Sequence, residues 1–209
     1  MNLFFNKVLK DVCSNISYKA CTFYLDKDSR YSIENSHFTN CSFRGEAHFI
    51  NLEGCSFSNC GFSKVIMDLS NQSLYKVPNY VFDLTFIDDL HLYENQLESI
   101  SPSLKKIERL NKLVLLRNRI SNFPETITKL SSLSHLNLCG NEIETIPKNI
   151  SNLKNLTDLY LRWNKINKLP KEIGKLQNLR ELDLEGNPIT RRQQRYIRRL
   201  LPNCNIYFG

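Results

Sequence analysis

Seven cysteines, four histidines and 21 carboxylates are the groups in this 209-residue chain best suited to chemistry. The most suggestive pair is His135 and Cys139 in LSHLNLCGN, with Asn137 between them. An extended strand through this stretch puts both on its exposed face. At ~3.4 Å per residue they stand about 13–14 Å apart, beyond the hydrogen-bond reach a Cys/His dyad needs. His91 lies two strands away, so a metal shared with it would require rearrangement. The chain contains no GxxxxGK[ST], no GxGxxG after a strand, no HExxH, no GxSxG and no CxxC. Nucleotide hydrolysis, zinc proteolysis and serine hydrolysis therefore have no support. We expect no catalytic residues, no metal and no cofactor: the chain reads as something other than an enzyme.

The elements that position these side chains are set by leucine. The frame LxxLxLxxNxI starts at Leu110, Leu133, Leu156 and Leu179, each start 23 residues after the last, and extends back to Ile87 and, more weakly, to Lys64. LxL alternation is a half-buried strand, so Leu159 and Leu161 point inward while Tyr160 and Arg162 point out. A second apolar set, Ile166, Leu169, Ile173 and Leu176, returns the chain behind the strand and covers those leucines. One unit cannot offset its own ordering entropy, so the units must stack.

This frame resembles the leucine-rich repeat family in the 23-residue form of many bacterial proteins. The resemblance spans residues 64–209 and implies a right-handed α/β solenoid, a horseshoe with a parallel concave β-sheet, an irregular convex side and a cap at each end. Asn95, Asn118, Asn141, Asn164 and Asn187 match the family's asparagine, whose amide both donates to and accepts from backbone inside the turn. Two departures stand out: Met67 and Gln72 replace Leu and Asn in the first unit, and the second has Ser101-Pro102 where later units have Pro124, Pro147 and Pro170. The N-terminal repeats are therefore expected to be less regular.

Three segments follow: a Cys/Phe-rich cap over 1–63, six repeats over 64–188 starting at 64, 87, 110, 133, 156 and 179, and a capping helix with a closing strand over 189–209. In the last, Thr190 is an N-cap for RRQQRYIRRLL. Tyr196, Ile197, Leu200 and Leu201 share its apolar face and Arg191, Arg192, Arg195, Arg198 and Arg199 the other. CNIYF supplies the strand, with Ile206, Cys204 and Phe208 inward. The tail from Asn187 to Phe208 is similar to the endings of short spirochaete leucine-rich repeat proteins. In the first 63 residues Cys precedes Phe by two positions repeatedly, as in Cys41/Phe43, Cys55/Phe57 and Cys60/Phe62. The partial five-residue step resembles the pentapeptide repeat. Either such β-helical coils or an irregular β-rich cap fits the pattern, with FFNKVLKDV as a short helix.

Composition is that of a soluble globular chain, 41% hydrophobic and 23% charged. No stretch is long and apolar enough for a transmembrane segment, and no secretory signal opens the chain. A cytoplasmic location is the default expectation, with non-classical export as the other route, and the cysteines are expected to be mostly buried thiols. The formal charge of +7 falls entirely on residues 64–209, which hold 22 Lys/Arg and 15 Asp/Glu against six of each in 1–63.

The outward strand positions form columns: His91, Val114, Asn137, Tyr160, Asp183, and beside it Tyr93, Leu116, Cys139, Arg162, Glu185. Just beyond lie Glu94, Arg117, Gly140, Trp163 and Gly186. Exposed aromatic and apolar side chains converge here, and Trp, Tyr and Arg are the types enriched at binding hot spots. Tyr93, Val114, Leu116, Arg117, Tyr160, Arg162 and Trp163 are thus the expected binding residues for a protein or peptide, engaged by a monomer. Acidic residues border both sides and disfavour nucleic acid. The competing reading is the five-arginine helix as a patch for a polyanion, either nucleic acid or an anionic membrane.

Overall fold

The computed structural model describes residues 2–5, 8–9 and 11–209. Its backbone is an 11-stranded sheet in which every pairing is parallel. In order along the chain it uses β2 (Val8–Leu9), β4 (Thr22–Tyr24), β7 (Ser42–Asn51), β9 (Gly61–Asp68), β10 (Asp89–His91), β11 (Lys112–Val114), β12 (His135–Asn137), β13 (Asp158–Tyr160), β14 (Glu181–Asp183) and β15 (Asn205–Tyr207), with β5 (Tyr31–Ser32) joined to β7. A second parallel sheet, β1 (Asn2–Phe5), β3 (Ile16–Lys19), β6 (His37–Thr39) and β8 (Ser56–Ser58), flanks the N-terminal coils. The sole α-helix among the described residues is α1 (Arg191–Leu200).

The strands of the repeats are three residues long because three things stop them. Leucines at both inward positions, such as Leu136 and Leu138, are fully buried. Two residues past the second leucine the backbone turns left-handed, with φ of 55° at Glu94, 54° at Arg117, 63° at Gly140, 55° at Trp163 and 71° at Gly186. The asparagine that follows holds the turn. Asn141 Nδ2 donates to the carbonyls of Leu138 in its own repeat and Leu115 in the preceding one, both at 3.0 Å, while its Oδ1 accepts from Ile120 N at 3.0 Å. Asn95, Asn118, Asn164 and Asn187 repeat the pattern. Each amide oxygen satisfies a backbone N–H that would otherwise be left unpaired, a cost of about 1–3 kcal/mol, and the strand-leucine carbonyls from Leu92 to Leu161 are each shared by two successive asparagines.

Behind the sheet the chain returns through 3₁₀ turns, Asn79–Asp83, Pro102–Lys106, Glu125–Lys129, Lys148–Asn152 and Lys171–Lys175. Four of them start after proline, whose fixed φ prepares the turn. Pro78 fills that place in the first repeat, a match the sequence frame overlooked. In the second, Ser101 does the job chemically, its side chain accepting from Ser103 N. Met67 is fully buried in its leucine's place. Five residues are too few for an α-helix, and the isoleucines Ile127, Ile150 and Ile173 close the core from this side.

In the N-terminal region the coils are shorter. Tyr18, Phe38 and Phe57 are in register, 20 and 19 residues apart, as are Phe23, Phe43 and Phe62. The rings form two near-parallel stacks, with centroids 5.0 and 4.8 Å apart in the first and 4.7 and 4.6 Å in the second. Rings of the two stacks meet edge to face. Phe86, from the repeats, adds itself to the second stack at 4.0 Å from Phe62. Strand β9 also runs through position 63/64, so one core serves both regions.

Three expectations need correcting here. The stretch FFNKVLKDV is not a helix: β1 and β2 reach into it, because Phe4 and Leu9 pair with Tyr18 and Phe23 of the next coil, while Asn6, Lys7 and Lys10 lie outside the described residues. Tyr196 is 39% exposed rather than buried, because Ile197 and Leu201 alone fill the contact with the last repeat, leaving Leu200 at its edge. The cysteines, all free thiols, are buried only at Cys21, Cys41 and Cys139; Cys13 is exposed and the rest are intermediate. In the same cap Thr190 accepts from Gln193 N and Ile206 is buried, while Cys204 and Phe208, expected inward, are only partly buried.

Candidate functional site: the outer face of the long sheet

With the leucines inward, every other strand residue meets solvent on one continuous face. Its centre is a shallow cavity of about 380 Å³ over β10 to β13, lined by His91, Tyr93, Lys112, Val114, His135, Asn137 and Tyr160. Tyr93, Val114 and Tyr160 among the expected binding residues come together there. Leu116, Arg117, Arg162 and Trp163 lie outside the cavity, along the turn edge of the sheet. Lys112 was missed, and His135, read from the sequence only as an exposed partner of Cys139, was not counted among the binding residues; both sit two residues before the first of the two columns read from sequence. The signal was available: the third outward position of the same frame reads Asp89, Lys112, His135, Asp158, Glu181.

The side chains on this face are held by their neighbours in the next repeat. The Tyr160 hydroxyl donates to Glu181 Oε2 at 2.8 Å, and Arg162 Nη2 donates to Glu185 Oε1 at 2.7 Å. Arg162 also lies over the Trp163 ring, 4.2 Å from its centroid. Trp163 is 51% exposed and leans onto Gly186, where an added Cβ would come within 2.2 Å of the ring. Glycine at 186 is therefore needed twice, for its positive φ and for the indole above it. Arg117 Nη1 meets Glu94 Oε1 at 2.7 Å, and His135 Nε2 meets Asp158 Oδ2 at 2.9 Å. These pairs are largely exposed, so they contribute little to stability. Glu181 and Arg162 nevertheless fix the direction in which Tyr160 and Trp163 are presented.

Cys139 is a correction: the alternation placed it on the exposed face, yet it is 8% exposed, sheltered between neighbouring strands. Burial pushes its thiol up to about 11, so it is protonated at neutral pH and a poor nucleophile. His91 is half-buried, and desolvation holds its pKa below the ordinary histidine value, leaving it neutral near pH 7. Its Nε2 has no hydrogen-bond partner. Among the described residues, no three His, Cys, Asp or Glu side chains are grouped to hold a metal, and no helix is long and apolar enough to cross a membrane. On α1, Arg191, Arg192, Arg195, Arg198 and Arg199 are all exposed, and Arg198 lies 5.1 Å from the Phe208 ring centroid.

A parallel-sheet solenoid with an asparagine ladder and a variable outer face is the class of molecule these observations define. A family model described as a leucine-rich repeat region matches residues 90–200, more than half of the chain, and the chain belongs to that family. Among curated proteins none matches it significantly. Solved structures share the fold. A leucine-rich repeat protein of Leptospira interrogans is 24% identical with a TM-score of 0.55, the alignment covering 92% of this chain and 55% of that one. An internalin of Listeria monocytogenes is 16% identical with a TM-score of 0.60, covering 92% of this chain and 66% of its own. The chain thus spans between about half and two thirds of the length of these two.

Proposed function

We propose that this protein binds another protein or a peptide, without catalysis, on the outer face of its long sheet. The observation that carries the reading is the convergence of Tyr93, Val114, Tyr160, Arg162 and Trp163 on one rigid surface where the fold does not require them. The leucine and asparagine positions hold the solenoid together, and the residues between them vary in every repeat. Leucine-rich repeat proteins act generally in protein–protein interaction, which agrees. A mixed-charge groove with fixed aromatics suits a protein surface, because polyanions would meet Asp158, Glu181, Asp183 and Glu185. The test is affinity capture from lysate with wild type and with Tyr160→Ala/Arg162→Ala/Trp163→Ala, both verified as folded. Loss of a captured protein in the variant supports the reading; identical capture by both overturns it.

A second reading is favoured by one observation: none of the five arginines of α1 has an ion-pair partner among the described residues. That helix would bind phosphate groups of a nucleic acid or an anionic membrane. Replacing all five by Gln abolishes such an interaction and leaves sheet-face binding intact.

A further inference from the structure

At the C-terminal end of the sheet face, Tyr160, Asp183 and Tyr207 stand side by side on β13, β14 and β15 in strict register. We propose that this trio is a receptor for a cationic side chain, an arginine or lysine carried by the partner; the assignment rests on the sheet-face reading above and names the chemistry of one of its contacts.

Three observations support it. First, the charge of Asp183 is not needed by the fold. Its Oδ1 accepts from Glu185 N at 3.0 Å, two residues on, which steadies the turn. At the equivalent place two strands earlier, Asn137 makes the same bond to Cys139 N at 3.0 Å with a neutral amide. The protein itself therefore shows that asparagine suffices. Asp183 has no ion-pair partner among the described residues, so its negative charge is free for something else.

Second, the flanking rings are placed to receive a cation. Neighbouring strands are about 4.8 Å apart, which puts Tyr160 and Tyr207 roughly 9–10 Å apart with the carboxylate between them. A guanidinium or ammonium midway falls within the ~6 Å of each ring centroid at which cation–π attraction operates. Tyr160 is held by Glu181, and Tyr207 is 49% exposed on the last strand.

Third, the local field is negative although the chain as a whole is basic. Asp158, Glu181, Asp183 and Glu185 are met by one arginine, Arg162, already on Glu185, and by His135 on Asp158. The surrounding groups register this field. Burial first, and then the Glu181 and Asp158 charges, push the Cys204 thiol up to about 11. Burial, the Glu181 hydrogen bond and the nearby carboxylates raise the Tyr160 phenol. A cation arriving from solvent relieves that field; an anion does not.

The experiment uses a defined probe and needs no identified partner. Isotope-labelled full-length protein is titrated with acetyl-Gly-Arg-Gly-amide and, as control, acetyl-Gly-Glu-Gly-amide, following the amide resonances of Tyr160, Asp183 and Tyr207 by NMR. We expect saturable shifts at these three with the arginine peptide and none with the glutamate peptide. Asp183→Asn, which keeps the turn bond, weakens binding about fivefold or more, and Tyr207→Ala weakens it by a smaller factor. Shifts that are absent, that map elsewhere, or that survive Asp183→Asn unchanged overturn the cation site. Failure of the sheet-face reading is a different result: capture that ignores the Tyr160/Arg162/Trp163 variant, whatever the tripeptide does.

Discussion

The two halves of this solenoid solve the same stacking problem with different chemistry. Each repeat of the C-terminal region from the second on buries two strand leucines and satisfies its inner carbonyls with an asparagine amide. The coils of the N-terminal region stack rings from coil to coil in two columns and satisfy inner carbonyls with thiols: Cys21, Cys41 and Cys60 donate to the carbonyls of Phe4, Tyr18 and Phe38, at 3.6, 3.6 and 3.5 Å. A thiol is a weak donor with no strong acceptor, whereas the amide both gives and receives. Both ladders follow a left-handed residue, Ala20, Asn40 and Asn59 before the cysteines as Glu94, Arg117 and Trp163 before the asparagines; the asparagine ladder serves 23-residue units and the cysteine ladder coils of 19 to 20 residues. The junction is aromatic, through Phe62 and Phe86.

The largest expected effect breaks the ring stacks. Phe43→Ala leaves a cavity beneath Phe23 and Phe62 and should cost about 3–5 kcal/mol by denaturant unfolding; Leu136→Ala, one strand leucine, should cost about 2–5 kcal/mol by the same measurement. The sharpest contrast lies in the ladders. Asn141→Ala strands Ile120 N in the core and takes one of two amide donors from the Leu115 and Leu138 carbonyls, which keep Asn118 and Asn164, and should cost about 2 kcal/mol, while Cys41→Ala removes one weak donor and should cost under about 1.5 kcal/mol. If the two costs are equal, the proposed difference between the regions is wrong.

Smaller still is Trp163→Gly. The substitution relieves a left-handed residue worth roughly 1–2 kcal/mol and loses the ring contact with Gly186, so thermal stability should stay within about 1 kcal/mol of wild type. A large loss would make Trp163 a scaffold residue. The pH dependence of His91 has a definite sign. Its folded pKa is below the unfolded value, so the unfolded chain binds the proton more readily; stability is complete above about pH 7 and falls as pH drops below the ordinary histidine pKa. In His91→Asn that part of the decline, followed by urea midpoint from pH 7 to 5, should flatten.

Much of the C-terminal region is legible in the sequence because a 23-residue period locks leucine, asparagine and proline to fixed places. The N-terminal strands are harder to read: FFNKVLKDV pairs with residues 14 positions on, a long-range contact that overrides any helical pattern within the stretch. Alternation alone also misplaces Cys139, since a small thiol beside larger neighbours is covered by them even when it points outward. The outward columns, including the equivalence of Asn137 with Asp183, could be listed from spacing, yet the left-handed turn at Trp163, its seat on Gly186 and the turn bond that Asn137 and Asp183 share depend on backbone geometry.

The most direct test of the central claim is hydroxyl-radical footprinting of the protein with and without its captured partner. Trp163 and Tyr207 are exposed on the β13–β15 part of the sheet face or its rim, while Tyr24, on β4 far along the sheet, and Tyr75 and Tyr196, off it, are also exposed and serve as internal references. The account predicts that the partner protects Trp163 and Tyr207 and leaves Tyr24, Tyr75 and Tyr196 as reactive as before. Protection of Tyr196 or Tyr24 with Trp163 unchanged would contradict it and move the binding surface to the arginine helix or the N-terminal coils.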